Sequence, residues 1–226
     1  MAADRKYYQA YDRRYRQVHA QGLQWASSIP TPILGEAVRR YGLGRGTAML
    51  EIGCGEGRDA FAMLAQGYDL QATDVSGQAV AYCRRQHPEW AERFWQLDCL
   101  KDDPPGRYGF IYAIAVIHML VPDDDRAAFY AFIRRHLAPQ GCALICSMGD
   151  GRRTAASDVT TAFDDQRRVH QATGRAMELA ATSCRMVTMA QWRQEIAAAG
   201  LQVLESGLTE CHPDFSSLMY AVIADR

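Results

Sequence analysis

The chain has 226 residues, of which 48% are hydrophobic and 23% are charged, a composition typical of one globular domain with a sizeable core. Its 25 basic and 26 acidic residues give a formal charge of −1, which argues against a nucleic-acid-binding or membrane-surface protein. No run reaches the roughly 18 apolar residues of a membrane span, and the start shows no signal peptide. Seven cysteines without a C-x-x-C pair predict reduced thiols, a cytoplasmic location and no metal site.

The first 44 residues form a segment of their own, for which we predict a helix with Tyr7, Tyr11 and Tyr15 at helical spacing. A regular alternation of strand and helix patterns follows. Strands are predicted over 48–53, 68–74, 92–98, 109–120 and 142–149, with helices over 57–67, 76–87 and 123–141. Strands separated by such helices imply right-handed crossovers and a parallel sheet, with ligands at the carboxyl ends of its strands.

Residues 150–186 form a polar insertion after the fifth strand, and the stretch 158–181 within it is predicted to be helical. An amphipathic helix over 188–200 and a pair of strands over 201–210 and 216–226 close the chain. Together these elements predict an α/β fold, a doubly wound, mostly parallel, seven-stranded sheet with an antiparallel C-terminal edge strand. We treat 1–226 as a single domain, with 1–44 and 150–186 as candidate caps over a substrate.

The stretch LEIGCGEGRDA (50–60) places Gly53, Gly55 and Gly57 at the end of the first predicted strand. A dinucleotide-binding loop would need its third glycine at position 58, which is Arg58, and no Gly-Lys-Ser/Thr of a Walker A loop is present. The spacing therefore argues against a nicotinamide-dependent oxidoreductase, which remains an alternative, and against a nucleoside triphosphatase.

Three acids, Glu51, Asp74 and Asp98, end three successive predicted strands. Asp74 lies where a carboxylate commonly accepts ribose hydroxyls, Asp98 offers an acceptor for the amine of adenine, and Glu51 attracts a cation. A ligand with adenine, ribose, a free amine and a positive sulfur satisfies all three acids, and S-adenosylmethionine is that ligand. Its carboxylate can take backbone N–H groups at the helix start near Gly57.

The stretch LEIGCGEGRDAFAMLAQGYDLQATDVSGQAV (50–80) resembles the cofactor region of class I S-adenosylmethionine-dependent methyltransferases. FWQLDCL and GFIYAIAVIHML are similar to the next two motifs of that family, and the resemblance covers about residues 40 to 150. Within the family, GEGRDA and GYD are most similar to the tellurite-resistance and thiopurine-type small-molecule methyltransferases. The resemblance implies a Rossmann-like methyltransferase fold, S-adenosylmethionine as cofactor, and S-adenosylhomocysteine as its product.

The resemblance also implies roles for individual residues. The glycines would let the backbone approach the methionine part and ribose, Asp98 with Cys99 would read adenine, and His118 would face the methyl group beside Ala115 and Val116. The cofactor-binding residues implied in this way are Glu51, Gly53, Cys54, Gly55, Gly57, Asp74, Val75, Asp98, Cys99 and Ala115. His118 is the candidate general base, for use if the acceptor keeps its proton at neutral pH.

The acceptor is expected to be a small, uncharged or acidic organic molecule. Candidate residues for holding it are Tyr7, Tyr11, Tyr15, Trp25, Arg152 and Arg153. The tyrosines have core packing as an alternative role, and the arginine pair has that of a solvated loop. A protein that binds the cofactor without transferring methyl groups stays open. A nucleic-acid methyltransferase is disfavoured, because the Pro-Pro loop after the fourth strand of the amino-methylating enzymes is replaced by AVIHML.

Overall fold

Helices and strands alternate along the chain in the computed structural model, which describes residues 6–170 and 173–226. The first half contains α1 (Ala10–His19), α2 (Pro32–Arg40), β1 (Met49–Ile52), α3 (Arg58–Ala65), β2 (Leu70–Asp74), α4 (Gly77–Gln86), β3 (Phe94–Gln96) and β4 (Tyr108–Ile114). The second half contains α5 (Asp123–His136), β5 (Leu137–Met148), β6 (Ala155–Ala156), β7 (Asp165–Val169), β8 (Ala176–Ala180), β9 (Arg185–Met186), α6 (Met189–Ala198), β10 (Leu201–Cys211) and β11 (Phe215–Asp225).

Seven strands form one sheet in the order β10-β11-β5-β4-β1-β2-β3. β1 is parallel to both β2 and β4, β3 is parallel to β2, and β5 is parallel to β4. Only β11 breaks this direction, since it runs antiparallel to β5 and to β10. The predicted doubly wound sheet with an antiparallel C-terminal strand is confirmed. That strand lies second from the edge, and β10 is outermost.

The sheet separates two hydrophobic cores, as the central strand β4 shows. Phe110 and Tyr112 join a buried cluster with α2, α3 and α4, whereas Ile111 and Ala113 join a second cluster with α5 and α6. Successive side chains of a strand point to opposite faces, so an uninterrupted apolar strand must be covered on both sides. Burying both faces fixes the register of the sheet and aligns the carboxyl ends of β1, β2 and β4.

Capped helix starts define the loops at that edge of the sheet. The side chain of Ser76 accepts the backbone N–H of Ala79 at 3.1 Å and begins α4 directly after β2. Thr188 and Gln191 form a reciprocal capping box at the start of α6. Such side chains satisfy backbone donors that a helix start leaves without partners, so each loop ends at a defined residue.

The prediction of a helix over 158–181 is wrong. A short 3-10 turn over Val159–Thr161 is followed by an antiparallel hairpin of β7 and β8, and residues 171–172 lie outside the described residues. In β8, Met177 and Leu179 are buried while Ala176 and Glu178 are exposed, which is the two-residue period of a strand packed on one side.

The N-terminal segment is helical, but its first described residues differ from the prediction. Tyr7 lies in a 3-10 turn over Tyr7–Gln9, and α1 begins only at Ala10. A 3-10 turn has three residues per turn instead of 3.6, so Tyr7 leaves the face shared by Tyr11 and Tyr15. Residues 1–5 of the predicted segment lie outside the described residues. Within residues 6–170 and 173–226, no helix is long and apolar enough to cross a membrane.

Candidate active site

A cavity of about 500 Å³ opens at the carboxyl ends of β1, β2, β3 and β4. Two segments outside the sheet also contribute residues to its lining: residues 6–31 and the hairpin over 165–180. We call these two segments together the cap. The predicted site residues that line the cavity are Glu51, Gly53, Cys54, Gly55, Asp74, Val75, Asp98, Cys99, Ala115, His118, Tyr11, Tyr15 and Trp25. The structure thus brings residues from widely separated parts of the chain around one space.

Two positions of the loop after β1 must be glycine, because neighbouring side chains leave no room for a Cβ. A Cβ on Gly53 would come within 2.4 Å of the Val116 side chain, and one on Gly55 within 2.7 Å of the Tyr15 hydroxyl. Both glycines have positive φ, 75° and 54°, a conformation that residues with a Cβ rarely adopt. The loop can therefore lie close to β4 on one side and to α1 on the other.

Gly57, the third glycine, does not line the cavity. Its φ is 82° at the N-cap of α3, and a Cβ there would meet the Phe61 ring at 2.6 Å and the Cys83 sulfur at 3.0 Å. The prediction that it approaches the methionine part of the cofactor does not fit this position. Close packing between α3 and α4 explains the glycine instead.

Asp74 ends β2 and lines the cavity with its carboxylate fixed in place. One oxygen accepts the Gly55 N–H and the other accepts the Ser76 N–H, each at 2.8 Å. A carboxylate has about four acceptor sites, so both oxygens keep capacity for a ligand. Burial raises the pKa of Asp74 to about 6, while the two backbone donors oppose that rise. The group is mostly ionised at neutral pH and can accept two hydroxyls.

Glu51, the second-to-last residue of β1, is a nearly fully buried acid that lines the same space. Burial raises the pKa of Glu51 well above its usual value, and the charge of Asp59 acts in the same direction. The Tyr112 hydroxyl donates to one oxygen at 3.1 Å. The charge of Arg58 opposes this rise in pKa without cancelling it. A buried carboxylate is costly to ionise, so a ligand cation in the cavity would stabilise its ionised form.

Asp98 follows β3 and is already held by the cap. Tyr8 donates its hydroxyl to one carboxylate oxygen at 2.8 Å, and the Leu100 N–H donates to the other at 3.1 Å. Lys101 lies 3.6 Å away. Tyr8 lines the cavity beside Asp98 and Cys99, so the first residues of the cap close the end of the cavity where the adenine was predicted.

His118 lies in the turn after β4, 3% exposed, and its ring lines the cavity. The Met148 N–H donates to Nδ1 at 3.3 Å, which leaves the ring proton on Nε2. Burial lowers the pKa of His118 to about 4, and the charge of Arg126 adds to this. A neutral imidazole with Nδ1 occupied presents an N–H to the cavity rather than a basic lone pair. This arrangement is unsuited to the predicted general base.

Glu56, which sequence reasoning missed, ties the cap to the glycine loop. Its two oxygens accept the Trp25 N–H, both at 2.9 Å, and one of them accepts the Ala26 N–H at 2.9 Å. His19 lies 2.8 Å from the same carboxylate. Nearby, Asp214 from the β10–β11 turn accepts the N–H and hydroxyl of Ser27. Buried acids of the loops thus fix residues 19–27 across the cavity.

Tyr11, Tyr15 and Trp25 form the cap side of the cavity, together with a further residue that was missed. The guanidinium of Arg14 lies 4.8 Å from the Trp25 ring centre and 5.4 Å from that of Tyr11. Tyr15 places its hydroxyl over Gly55. The tyrosine and tryptophan positions expected to face the acceptor therefore adjoin the loop expected to face the cofactor.

Tyr7, Arg152 and Arg153 lie outside the cavity. Tyr7 donates to Asp125 at 2.7 Å and accepts the Val121 N–H at 3.1 Å, which attaches the cap to the start of α5. Arg152 and Arg153 are exposed, and their backbone N–H groups bind Asp150 in a tight turn. The alternative role of a solvated loop fits the arginine pair.

Sequence reasoning gave no binding role to several residues that line the cavity, among them Tyr8, Arg14, Glu56, Arg58, Asp59, Arg168, Val169, Asp214 and Phe215. Glu56, Arg58 and Asp59 lie within the GEGRDA stretch, but their partners are far away in the chain, as Trp25 is for Glu56 and Thr31 for Asp59. Among the described residues, no group of three or more His, Cys, Asp or Glu is placed to hold a metal ion, and all seven cysteines are free thiols.

Comparisons with known proteins agree with the fold. Residues 50–143 match the family model of a methyltransferase domain. The chain is similar to the crystal structure of the glycopeptide N-methyltransferase MtfA, with a TM-score of 0.66, 18% identity and coverage of 89% of this chain and 92% of that one. It is also similar to the CcbJ methyltransferase from Streptomyces caelestis, with a TM-score of 0.70, 16% identity and coverage of 95% of this chain and 98% of that one.

A third similar structure is 1,6-didemethyltoxoflavin-N1-methyltransferase from Burkholderia thailandensis, which was solved with its acceptor and S-adenosylhomocysteine bound. It gives a TM-score of 0.66 and 18% identity, with coverage of 99% of this chain and 90% of that one. At such identities the likeness concerns the architecture. No match was found among curated protein sequences.

Proposed function

We propose that this chain transfers a methyl group from S-adenosylmethionine to a small organic acceptor held under the cap, which the match of residues 50–143 to the family model of a methyltransferase domain supports. The observation that carries the proposal is the convergence of Glu51, Asp74 and Asp98 with the Gly53–Gly55 loop around one cavity. Each acid matches a different part of that cofactor: the amine, the ribose hydroxyls and the adenine.

The cofactor supplies an activated methyl group on a sulfonium, so the protein has little covalent chemistry to perform. Its residues must align the acceptor with the methyl group and exclude water, and alignment alone can contribute roughly 7–11 kcal/mol. Asp74 and the glycine loop fix the donor end. The hydrogen bonds of Glu56 and Asp214 to residues 25–27 hold the cap shut over the acceptor end.

His118 contributes to this alignment as a hydrogen-bond donor. Its Nδ1 accepts from the Met148 backbone, and its Nε2–H faces the cavity where the acceptor is placed. A donor at this point suits an acceptor that reacts through a lone pair without first losing a proton, such as a neutral amine, or one that is already ionised. His118 then orients the acceptor and takes no proton from it.

The cap also limits the size of the acceptor. A cavity of about 500 Å³ that also holds a nucleoside cofactor leaves room for a small molecule, and the formal charge of −1 provides no basic surface for nucleic acid. Free cysteines fit a reducing compartment such as the cytoplasm. A relationship to tellurite-resistance and thiopurine-type enzymes remains a prediction from the GEGRDA and GYD stretches.

Calorimetric titration with S-adenosylhomocysteine and NADH side by side tests the proposal. We expect S-adenosylhomocysteine to bind and NADH not to bind, because the cavity offers acids for hydroxyls and amines and no glycine at position 58. Binding of NADH alone would favour the oxidoreductase alternative. Binding of neither ligand would reject the proposed cofactor site.

A further inference from the structure

The guanidinium of Arg14 is a buried positive charge with no acid beside it among residues 6–170 and 173–226. Arg14 is 7% exposed, and its Nε and Nη2 donate to the carbonyl oxygens of Ala180 and Ala181 at 2.6–3.1 Å. Within the described residues, no carboxylate lies within 4 Å of it, and Nη1 makes no hydrogen bond. Since Arg14 lines the cavity, the free Nη1 donors are available to a ligand there.

Burying an unpaired cation is costly, and part of that cost is visible at Arg14. Burial lowers the pKa of its guanidinium, and the charge of Arg168 lowers it further. Arg168 is on β7 and lines the same cavity, and among the described residues its guanidinium has one hydrogen bond, to Gln166 at 3.2 Å. Two cations that line one cavity and repel each other are stabilised by an anion bound beside them.

The acids of the cavity cannot provide that anion, because all of them have other partners and come from the sheet side. Asp59 binds Thr31 and Arg58, and Asp214 binds Ser27 and Arg58. Asp74, Asp98 and Glu56 bind backbone donors and Tyr8, as described above. The cavity therefore has an acidic side made by the loops of the sheet and a basic side made by the cap.

We propose that Arg14, with Arg168 of the same cavity, binds a carboxylate of the methyl acceptor, so that the acceptor is a small organic acid. This inference rests on the proposed function and specifies its substrate class. The free Nη1 of a guanidinium binds a carboxylate through charge-assisted hydrogen bonds. The Trp25 and Tyr11 rings beside Arg14 provide an apolar wall for the remainder of such an acid.

The cofactor has a carboxylate as well, which is the other possible source of the anion. The geometry favours the acceptor, because the hydrogen bonds of Arg14 go to the hairpin at Ala180 and Ala181, whereas Tyr15 and His19 are the residues of α1 that reach Gly55 and Glu56 of the glycine loop.

The test uses benzoate as an anionic probe and benzamide as its neutral match, titrated into the full chain saturated with S-adenosylhomocysteine. We expect benzoate to bind about tenfold more tightly than benzamide, the size of one charge-assisted interaction, and Arg14→Gln to abolish the preference. Arg168→Gln, at an exposed position, should reduce the preference for benzoate while leaving the fold intact. This second variant keeps the inference testable if Arg14→Gln does not fold. Arg153→Gln, outside the cavity with a side chain 85% exposed, is the matched control.

Two results would overturn the inference. The first is equal binding of benzoate and benzamide to the wild type. The second is that Arg14→Gln weakens the binding of S-adenosylhomocysteine about tenfold but does not change the affinity for 5′-methylthioadenosine, which lacks the carboxylate. That outcome assigns the anion to the cofactor. The benzoate titration is repeated without S-adenosylhomocysteine. A preference for benzoate that persists there would show that this subsite works even if the cofactor does not bind, whereas binding of S-adenosylhomocysteine without that preference would show that this subsite alone fails.

Discussion

Glu56, in the glycine loop, binds the backbone N–H of Trp25 through both carboxylate oxygens, at 2.9 Å each. The two residues are 31 positions apart in the chain, and Glu56 is 6% exposed. A single buried carboxylate therefore joins the loop expected to hold the cofactor to the cap expected to hold the acceptor. Movement of either segment must break or bend this contact.

Glu56→Gln should loosen the cap without removing the loop. A neutral amide has one acceptor oxygen and would place an N–H₂ against a backbone donor, at a cost of about 1.5–3 kcal/mol. We expect the Trp25 and Ala26 amides to exchange with deuterium roughly ten to a hundred times faster, as hydrogen-exchange mass spectrometry or NMR would measure. Glu210→Gln, on an exposed side chain that contacts only His212, is the control. Unchanged exchange in Glu56→Gln would show that the cap is held elsewhere.

Asp74→Asn should weaken S-adenosylhomocysteine by roughly ten- to a hundredfold, from the loss of charge-assisted hydrogen bonds worth about 1.5–3 kcal/mol. Asparagine would also turn its amide nitrogen toward the N–H of Gly55 or Ser76. Calorimetry measures the change, with Asp69→Asn, whose partner Arg93 lies on the surface, as control. Equal affinity for both variants would mean that the ribose does not lie on Asp74.

The pKa of Asp74 also predicts how cofactor affinity depends on pH. Burial raises that pKa to about 6, and only the ionised carboxylate accepts two hydroxyls. As pH falls from 7.5 to 5, the ionised fraction in the free protein drops about tenfold, and affinity should drop with it. In Asp74→Asn the part of this dependence that comes from Asp74 should disappear, so the affinity should vary less with pH than it does in the wild type. A wild-type affinity that is constant over the same range would contradict the assignment.

Gly55→Ala should open the cap through a contact with Tyr15. The new Cβ would lie 2.7 Å from the Tyr15 hydroxyl, at a φ of 54°. Gly42→Ala is a matched control, because its φ is 62° but nothing lies within 4 Å of the added Cβ. Placing an alanine at positive φ should lower the free energy of unfolding of both variants by about 1 kcal/mol. A greater loss of stability and of cofactor affinity in Gly55→Ala would therefore come from the contact between the new Cβ and the Tyr15 hydroxyl. Equal losses in the two variants would show that Tyr15 moves freely.

His118 should make stability depend on pH in a defined window. Its pKa is lowered to about 4 from 6.5, so between these values the unfolded chain binds more protons than the folded one. The contribution of His118 to the free energy of unfolding is therefore intact above pH 6.5 and falls as pH drops toward 4, by about 2 kcal/mol at pH 5. Asp74, with its raised pKa, acts in the opposite direction in the same window.

Comparing the wild type with His118→Gln cancels the contribution of Asp74. Urea unfolding at pH 7 and pH 5 should show that the wild type loses about 2 kcal/mol more than His118→Gln. Glutamine can still accept the Met148 N–H, which limits other changes. His212→Gln, at an exposed turn, should behave as the wild type does. The same pH dependence in His118→Gln would mean that the buried imidazole does not titrate as described.

The sheet and the loop after β1 could be predicted because their signals are local. Strand and helix periods alternate within short windows, and the Gly53–Gly55 loop and Asp74 follow consecutive strands at fixed spacing. The hairpin of β7 and β8 was mistaken for a helix, since its residues have good helix propensity. Contacts with α1, including Arg14 to Ala180, override that propensity.

The cap could not be predicted in detail for the same reason. Tyr8 reaches Asp98 because it lies in a 3-10 turn before α1, which changes the direction of its side chain relative to the tyrosines of the helix. A prediction based on the 3.6-residue period of an α-helix does not show such a change. Glu56 and Arg14 find their partners 31 and 166 residues away. Residues fixed by tertiary contacts depend on partners far away in the chain, so those partners could not be predicted from local spacing.

A crystal structure of the full chain with S-adenosylhomocysteine tests the central claim most directly. The account predicts both ribose hydroxyls on the Asp74 carboxylate, the adenine beside Asp98 and Tyr8, and the sulfur pointing toward the space between His118 and Arg14. Electron density for the ligand outside this cavity, or with its ribose away from Asp74, would contradict the account.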